Sequence, residues 1–77
     1  MENTYKTKDL GEAGVLIVKK QNLLKMERKN SICWFVFKDK SKCQELSNNF
    51  FFGDLMVNAR EYTETINRLK NRIFSNS

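Results

Sequence analysis

The stretch that decides the fold is SICWFVFKDKSKC, which runs from Ser31 to Cys43 and contains six consecutive apolar residues, Ile32 to Phe37. A strand that is buried on one face alternates apolar and polar residues, and this segment does not alternate. The run therefore predicts a strand with apolar side chains on both faces of a sheet. In a chain of 77 residues, the question is what covers the second face.

The residues before this strand predict its hairpin partner. Leu23 to Arg28 alternates in polarity, and Lys29-Asn30 supplies a turn. If the turn has two or four residues centred on Lys29-Asn30, Lys25 lies opposite Trp34 and can make a cation–π contact with its ring. A three-residue turn with a bulge would instead exchange the two faces of the hairpin.

The two faces of this predicted hairpin differ in polarity. One face is apolar throughout, so we expect it to face the core; its residues are Leu24, Met26, Cys33, Phe35 and Phe37. The other face is mixed and contains Leu23, Lys25, Glu27, Ile32, Trp34 and Val36. The mixed face is therefore the one that a helix of the same chain, a partner or a ligand would cover.

Three helices are expected around the hairpin. Thr7 is predicted to cap the first, Asp39 the second, and Asn58 with Glu61 the third. Gly11 and Gly14 in the first helix predict close approach of a neighbouring element, since glycine otherwise weakens a helix by about 1 kcal/mol. The helix residues expected in the core are Ile17, Leu46, Phe50, Tyr62, Ile66, Leu69 and Ile73.

The predicted fold class is α+β, in the order α–β–β–α–(β)–α, with a small antiparallel hairpin-based sheet and helices packed on one face. The strand in parentheses is Asp54 to Val57. We expect residues 1–6 to be a disordered N-terminus and residues 7–75 to form a single domain. Three consecutive phenylalanines cannot share one helix face, so Phe51 or Phe52 is expected to seal the end of the core or to add to an interface.

The composition excludes several classes of site. The chain contains no histidine and two cysteines, Cys33 and Cys43, which are expected to be reduced and buried. Neither a zinc site nor a catalytic signature is predicted, and no cofactor is expected. The apolar run Ala13 to Val18 is too short for a membrane span or a signal peptide. We therefore expect a cytoplasmic, non-enzymatic protein that does not bind membranes.

The formal net charge of +5 favours acidic partners such as DNA or RNA. An aromatic ring with lysines on a sheet suits base stacking and phosphate neutralisation, and basic residues cluster again near the C-terminus. The candidate nucleic-acid contacts are Lys25, Trp34, Lys38, Lys40, Arg60, Arg68, Lys70 and Arg72.

An alternative reading of the mixed face is a protein interface or a homodimer. Tryptophan and aliphatic residues are enriched where proteins meet. The candidate interface residues are Ile32, Trp34 and Val36. A third reading is that a helix of the same chain covers this face, which would leave no binding surface there.

Three segments carry a resemblance to a known family. YKTKDL near the start, CWFVFKDKSKC in the middle and VNAREYTETINRLKNRIFS at the end resemble a family of short bacterial proteins of unknown function, over residues 5 to 75. That family is associated with phage and with integrative or conjugative elements of Gram-positive bacteria. The resemblance implies a setting of mobile DNA and assigns no functional residues.

Overall fold

The computed structural model describes residues 3–53 and 55–75. Within them the chain is α+β, as predicted: a three-stranded antiparallel sheet has helices on one face. The elements, in chain order, are β1 (Thr4–Thr7), α1 (Leu10–Val18), β2 (Leu23–Lys29), β3 (Ile32–Lys38), α2 (Lys40–Phe51) and α3 (Ala59–Ser75). The apolar run Ile32 to Phe37 lies in the central strand, since the sheet order is β1-β3-β2.

The expectation for the N-terminus is wrong for the residues that can be described. Thr4–Thr7 form edge strand β1, which pairs with β3 from Thr4–Lys38 to Thr7–Phe35. The third strand therefore comes from the start of the chain and not from Asp54 to Val57. Leu55 to Val57 have no regular structure, and Asp54 lies outside the described residues.

The hairpin between β2 and β3 exists, but its turn is one residue further along than expected. Asn30 and Ser31 form a two-residue turn, and both have positive φ angles, 50° and 69°, as in the type I′ turns that suit a twisted hairpin. Moving the centre of the turn by one residue shifts every cross-strand pair by two positions. A shift of two keeps each side chain on its predicted face.

The one exception to the predicted faces is the start of β2. A bulge separates Leu23, which pairs with Phe37, from Lys25, which pairs with Val36. Leu23 therefore packs against the core, while Leu24 is 49% exposed. The sequence predicted the opposite for these two leucines, because an alternating pattern contains no signal for the extra residue of a bulge.

The helix caps agree with the prediction in two cases of three. The side chain of Asp39 accepts a hydrogen bond from the N–H of Lys42 at the start of α2, and that of Asn58 accepts one from the N–H of Glu61 in α3. Helix α1 is capped by Asp9, which bonds the N–H of Glu12 at 2.9 Å. Thr7, the expected cap, is instead the buried last residue of β1.

Helix α1 is the centre of the helical layer and packs against both α2 and α3. Its segment LGEAGVLIV is apolar on nearly every side, which is the pattern of a helix surrounded by protein. A Cβ on Gly14 would lie 2.5 Å from Cδ1 of Ile66 in α3. The predicted reason for the glycine, close approach of a neighbouring helix, is confirmed.

The core lies between the helices and the inner face of the sheet. Its fully packed members are Ala13, Leu16, Phe35, Phe37, Cys43, Leu46 and Leu69. Ile17 and Ile73 pack against this cluster as expected, whereas Leu24 is excluded from it by the bulge. Phe51 and Phe52 are both exposed, at 61% and 81%, so neither of them seals the core.

Candidate functional site

The helices leave the other face of the sheet uncovered, and we call it the open face. Phe35 and Phe37 of β3 and Tyr5 of β1 point to the core, so the alternate positions point outward. The open face consists of Thr4, Lys6, Lys25, Glu27, Lys29, Ile32, Trp34, Val36 and Lys38. Four lysines and one glutamate make it strongly basic.

A charged bridge crosses the middle of the open face. Nζ of Lys6 lies 3.3 Å from Oε1 of Glu27, and Nζ of Lys25 lies 3.4 Å from Oε2. Lys6 belongs to β1 and Glu27 to β2, so their contact passes over the central strand. Val36 pairs with Lys6 on one side and with Lys25 on the other, and it is only 2% exposed. The stems of these two lysines therefore account for the burial of Val36 on the second face of the apolar strand.

The two lysines also favour the charged form of Glu27. Their hydrogen bonds, first from Lys6 and then from Lys25, hold the pKa of this carboxyl below its usual value. The lysine side chains are 51% and 62% exposed and that of Glu27 is 31% exposed. Ion pairs this exposed are weak and are screened by salt. The bridge is accordingly an ion-pair contact that competing ions can displace.

Trp34 forms one wall of a depression beside this bridge. The depression has a volume of about 230 Å³ and is lined by Lys6, Glu27, Lys29 and Trp34. The indole lies on the predicted face of the hairpin, where it is half-buried, and it is opposite Glu27. The expected pairing of Trp34 with Lys25 is wrong, because Lys25 lies opposite Val36 and its ammonium binds Glu27.

The predicted protein-interface residues are not equally accessible. Ile32 is 40% exposed and Val36 is 2% exposed. Val36 therefore offers almost no contact surface to a partner. Only Ile32 and Trp34, at the hairpin end of the open face, remain available to a partner.

The predicted nucleic-acid contacts do not form one surface. Lys25, Trp34 and Lys38 lie on the open face, and Lys40 is the first residue of α2. The remaining four, Arg60, Arg68, Lys70 and Arg72, lie on α3, in the layer that packs on the opposite face of the sheet. The sequence reasoning also missed Lys6 and Lys29, since β1 was not predicted and Lys29 was assigned to the turn.

The basic residues of α3 are partly neutralised. Glu64 binds Arg60 at 3.5 Å and Arg68 at 4.0 Å on the helix surface. Between α3, the end of α1 and the start of β2 lies a second depression of about 280 Å³, with Ile17, Leu23 and Leu69 in its lining and Arg68 and Arg72 beside them. The lining of this depression contains no aromatic ring on which a base could stack.

A buried carboxylate, which sequence reasoning missed, lies on the other side of the sheet. Glu12 of α1 is 4% exposed and accepts hydrogen bonds from the hydroxyls of Thr7 at 2.7 Å, Tyr5 at 2.5 Å and Ser47. Burial and the bond to Glu12 raise the pKa of Tyr5. The sequence signal that could have identified Glu12 is that it is the one acidic residue within the apolar segment LGEAGVLIV. Such a residue needs several donors if it is buried.

The two cysteines are free, and Cys43 is buried while Cys33 is half-buried. Burial, with smaller effects of Asp39 and Glu12, raises the pKa of the Cys43 thiol to about 11. Across residues 3–53 and 55–75, no group of three or more histidine, cysteine or acidic residues could hold a metal ion. Over the same ranges, every helix is too short or too polar to cross a bilayer.

Comparison with known proteins identifies a family. Residues 2–75 match the family described as Domain of unknown function (DUF5659). This supports the part of the sequence resemblance that concerns a small domain of unknown function. No curated protein and no solved structure matches the chain.

Proposed function

Because the chain belongs to the DUF5659 family, whose description assigns no activity, we propose a function from the site itself: the protein binds single-stranded nucleic acid through its open face. The observation that carries this proposal is the position of Trp34 among outward-facing lysines of all three strands. Sheet platforms of this kind stack bases on aromatic rings and neutralise the backbone with basic side chains.

The depression beside Trp34 supports a single strand rather than a duplex. A base must lie flat on the indole to stack, and bases in a duplex are not available for this contact. Lys29, which lines the same depression, and Lys38 at the other end of β3 would contact phosphates. None of the ion pairs within residues 3–53 and 55–75 involves either lysine.

The test uses the single tryptophan of the chain as its own reporter. A labelled oligothymidine of about ten nucleotides is titrated at about 50 mM salt, and both anisotropy and tryptophan fluorescence are followed. We expect binding, quenching of Trp34, and an affinity that falls steeply with salt. Absence of detectable binding to DNA or RNA at this salt would refute the proposal.

A matched pair of variants assigns the surface. Trp34→Ala should lower the affinity by about tenfold or more, since stacking contributes about 1–3 kcal/mol per base, whereas Trp34→Phe should retain most of it. Phe52→Ala is the control, because Phe52 is an exposed aromatic residue (81%) outside the sheet. An equal loss in the Phe52 variant would contradict binding on the open face.

We propose no catalytic step. The chain contains no histidine. Among residues 3–53 and 55–75, the one serine that hydrogen-bonds a carboxylate is Ser47, which donates to Glu12 in the interior, where the two residues are 2% and 4% exposed. The setting we propose is the cytoplasm of Gram-positive bacteria, as an accessory protein of a phage or conjugative element, since the sequence resembles proteins associated with such elements.

The second candidate function is self-association through Ile32 and Trp34. The observation in its favour is that Ile32 is 40% exposed beside an aromatic residue on an uncovered sheet. It predicts a dimer by sedimentation equilibrium that Trp34→Ala converts to a monomer. A wild-type monomer at high micromolar concentration would exclude this alternative.

A further inference from the structure

Glu27 is the one acidic residue of the open face, and both of its carboxylate oxygens are bound by lysines. We propose that this carboxylate occupies the place of a nucleic-acid phosphate, and that a bound strand displaces it from Lys6 and Lys25. Glu27 is then a built-in competitor that lowers the affinity of the site. This inference rests on the proposed function, because it concerns the same surface.

The geometry of the bridge matches what a phosphate would require. Oε1 of Glu27 binds Lys6 at 3.3 Å and Oε2 binds Lys25 at 3.4 Å, so one anion joins cations from the two outer strands. A phosphodiester of a nucleic-acid strand also presents two non-bridging oxygens, which share its negative charge and can accept from separate lysines. The exchange would keep both lysines neutralised and would keep their stems across the central strand.

The position of the bridge links it to stacking. Glu27 lies directly opposite Trp34 in the sheet, and both residues line the 230 Å³ depression with Lys6 and Lys29. The backbone of a nucleotide whose base stacks on Trp34 would therefore pass close to this carboxylate. The phosphate and the Glu27 carboxylate would repel each other there because both are negatively charged. Either the phosphate or Glu27 must therefore leave the lysines.

The energetics allow the exchange. All three side chains of the bridge are partly exposed, and such ion pairs contribute little to folding. Displacement of Glu27 therefore opposes binding without threatening the fold. Val36 beneath the bridge is 2% exposed, and the stems of Lys6 and Lys25 would continue to cover it when their ammonium groups turn to a phosphate.

The test compares Glu27→Gln with Glu64→Gln. Both substitutions remove one negative charge from a glutamate that binds two cations, Glu27 on the open face and Glu64 on α3. With labelled oligothymidine, we expect Glu27→Gln to tighten binding by about tenfold. We also expect it to steepen the dependence of log affinity on log salt by about one, because Glu27 no longer takes up a cation on release.

Each outcome of this comparison decides the proposal. If Glu27→Gln binds no more tightly than the wild type, the displacement of Glu27 is overturned. If the wild type still binds and Trp34→Ala weakens that binding, the proposed function stands without the displacement. An equal gain in Glu64→Gln overturns it as well, since net charge would then be the cause. If neither the wild type nor either variant binds, the proposed function and this inference fail together.

Discussion

The two sides of the sheet each hold one well-bonded glutamate, and the two carboxylates are satisfied in opposite ways. Glu12 is buried and is bonded by three neutral hydroxyls from β1 and α2. Glu27 lies on the open face and is bonded by two lysine ammonium groups. Fixed hydroxyls in the interior make a contact that salt cannot reach, whereas mobile ammonium groups in solvent make one that other anions can replace. The difference separates a structural carboxylate from an exchangeable one.

The largest effect that tests this comparison is expected at Glu12. Glu12→Ala leaves three hydroxyls without their acceptor, and each unsatisfied buried group costs about 1–3 kcal/mol. We expect a loss of about 3 kcal/mol or more in the free energy of unfolding, measured by urea denaturation. Such a loss is a large fraction of the stability of a small domain.

Ser47→Ala keeps that experiment informative if the Glu12 variant does not fold. It removes a single donor to Glu12 and should cost about 1 kcal/mol. If Glu12→Ala were as stable as the wild type, the interior carboxylate would not have the structural role assigned to it.

The next effect concerns the packing of α1 against α3. A side chain at Gly14 meets Ile66, whose Cδ1 would lie 2.5 Å from the new Cβ, so Gly14→Val should destabilise the protein by about 1–3 kcal/mol through overpacking. Ile66→Val removes the obstructing Cδ1. In that background the same substitution should cost less, as a double-mutant cycle by urea denaturation would measure.

Alkaline pH should weaken the interior selectively. The pKa of Cys43 is raised from 9.0 to about 11, and that of Tyr5 is raised above 10.0. The unfolded chain therefore loses these protons at lower pH than the folded chain, and stability falls as pH rises from about 9 towards 11. The urea midpoint at pH 8 and pH 10.5 measures this fall. Cys43→Ala should reduce the difference, and an unchanged midpoint in the wild type would contradict it.

The smallest effect on stability is expected at the open face. Because the pKa of Glu27 is lowered, its bridge contributes above the unfolded pKa near 4.5 and is lost as pH falls through the folded value. Glu27→Gln should leave the urea midpoint close to that of the wild type at pH 7, and 0.5 M NaCl should reduce any remaining difference. A large loss of stability would show that the bridge is structural and not exchangeable.

Much of the fold follows from two local patterns: the alternation of apolar residues in strands, and their spacing by three or four residues in helices. Alternation placed Trp34 outward and Phe35 inward even though the turn was misplaced by one residue, because an error of two positions in pairing preserves the faces. Helical spacing correctly placed Leu69 in the core, whereas Ile66 is half-buried outside the core cluster. Local patterns could not find the bulge at Leu24, because both leucines fit an alternating strand equally well.

The candidate site was harder to predict because it depends on long-range pairing. Strand β1 pairs with β3, which lies about thirty residues further along the chain. The four residues of β1 contain no pattern that predicts this pairing. Without β1, neither Lys6 over the central strand nor the hydroxyls around Glu12 could be placed. The candidate contacts on α3 came from the clustering of basic residues near the C-terminus, and the fold separates them from Trp34.

Strand β1 contributes side chains both to the hydrogen bonds around Glu12 and to the ion pairs of Glu27. Its alternate residues point in opposite directions: Tyr5 and Thr7 hold Glu12 on one side, and Lys6 holds Glu27 on the other. Detachment of this short edge strand would break both sets of contacts in a single event. A ligand that binds Lys6 therefore also shifts the equilibrium between attached and detached β1, on which the buried contacts of Glu12 depend. Amide hydrogen exchange along β1 would report changes on both sides of the sheet.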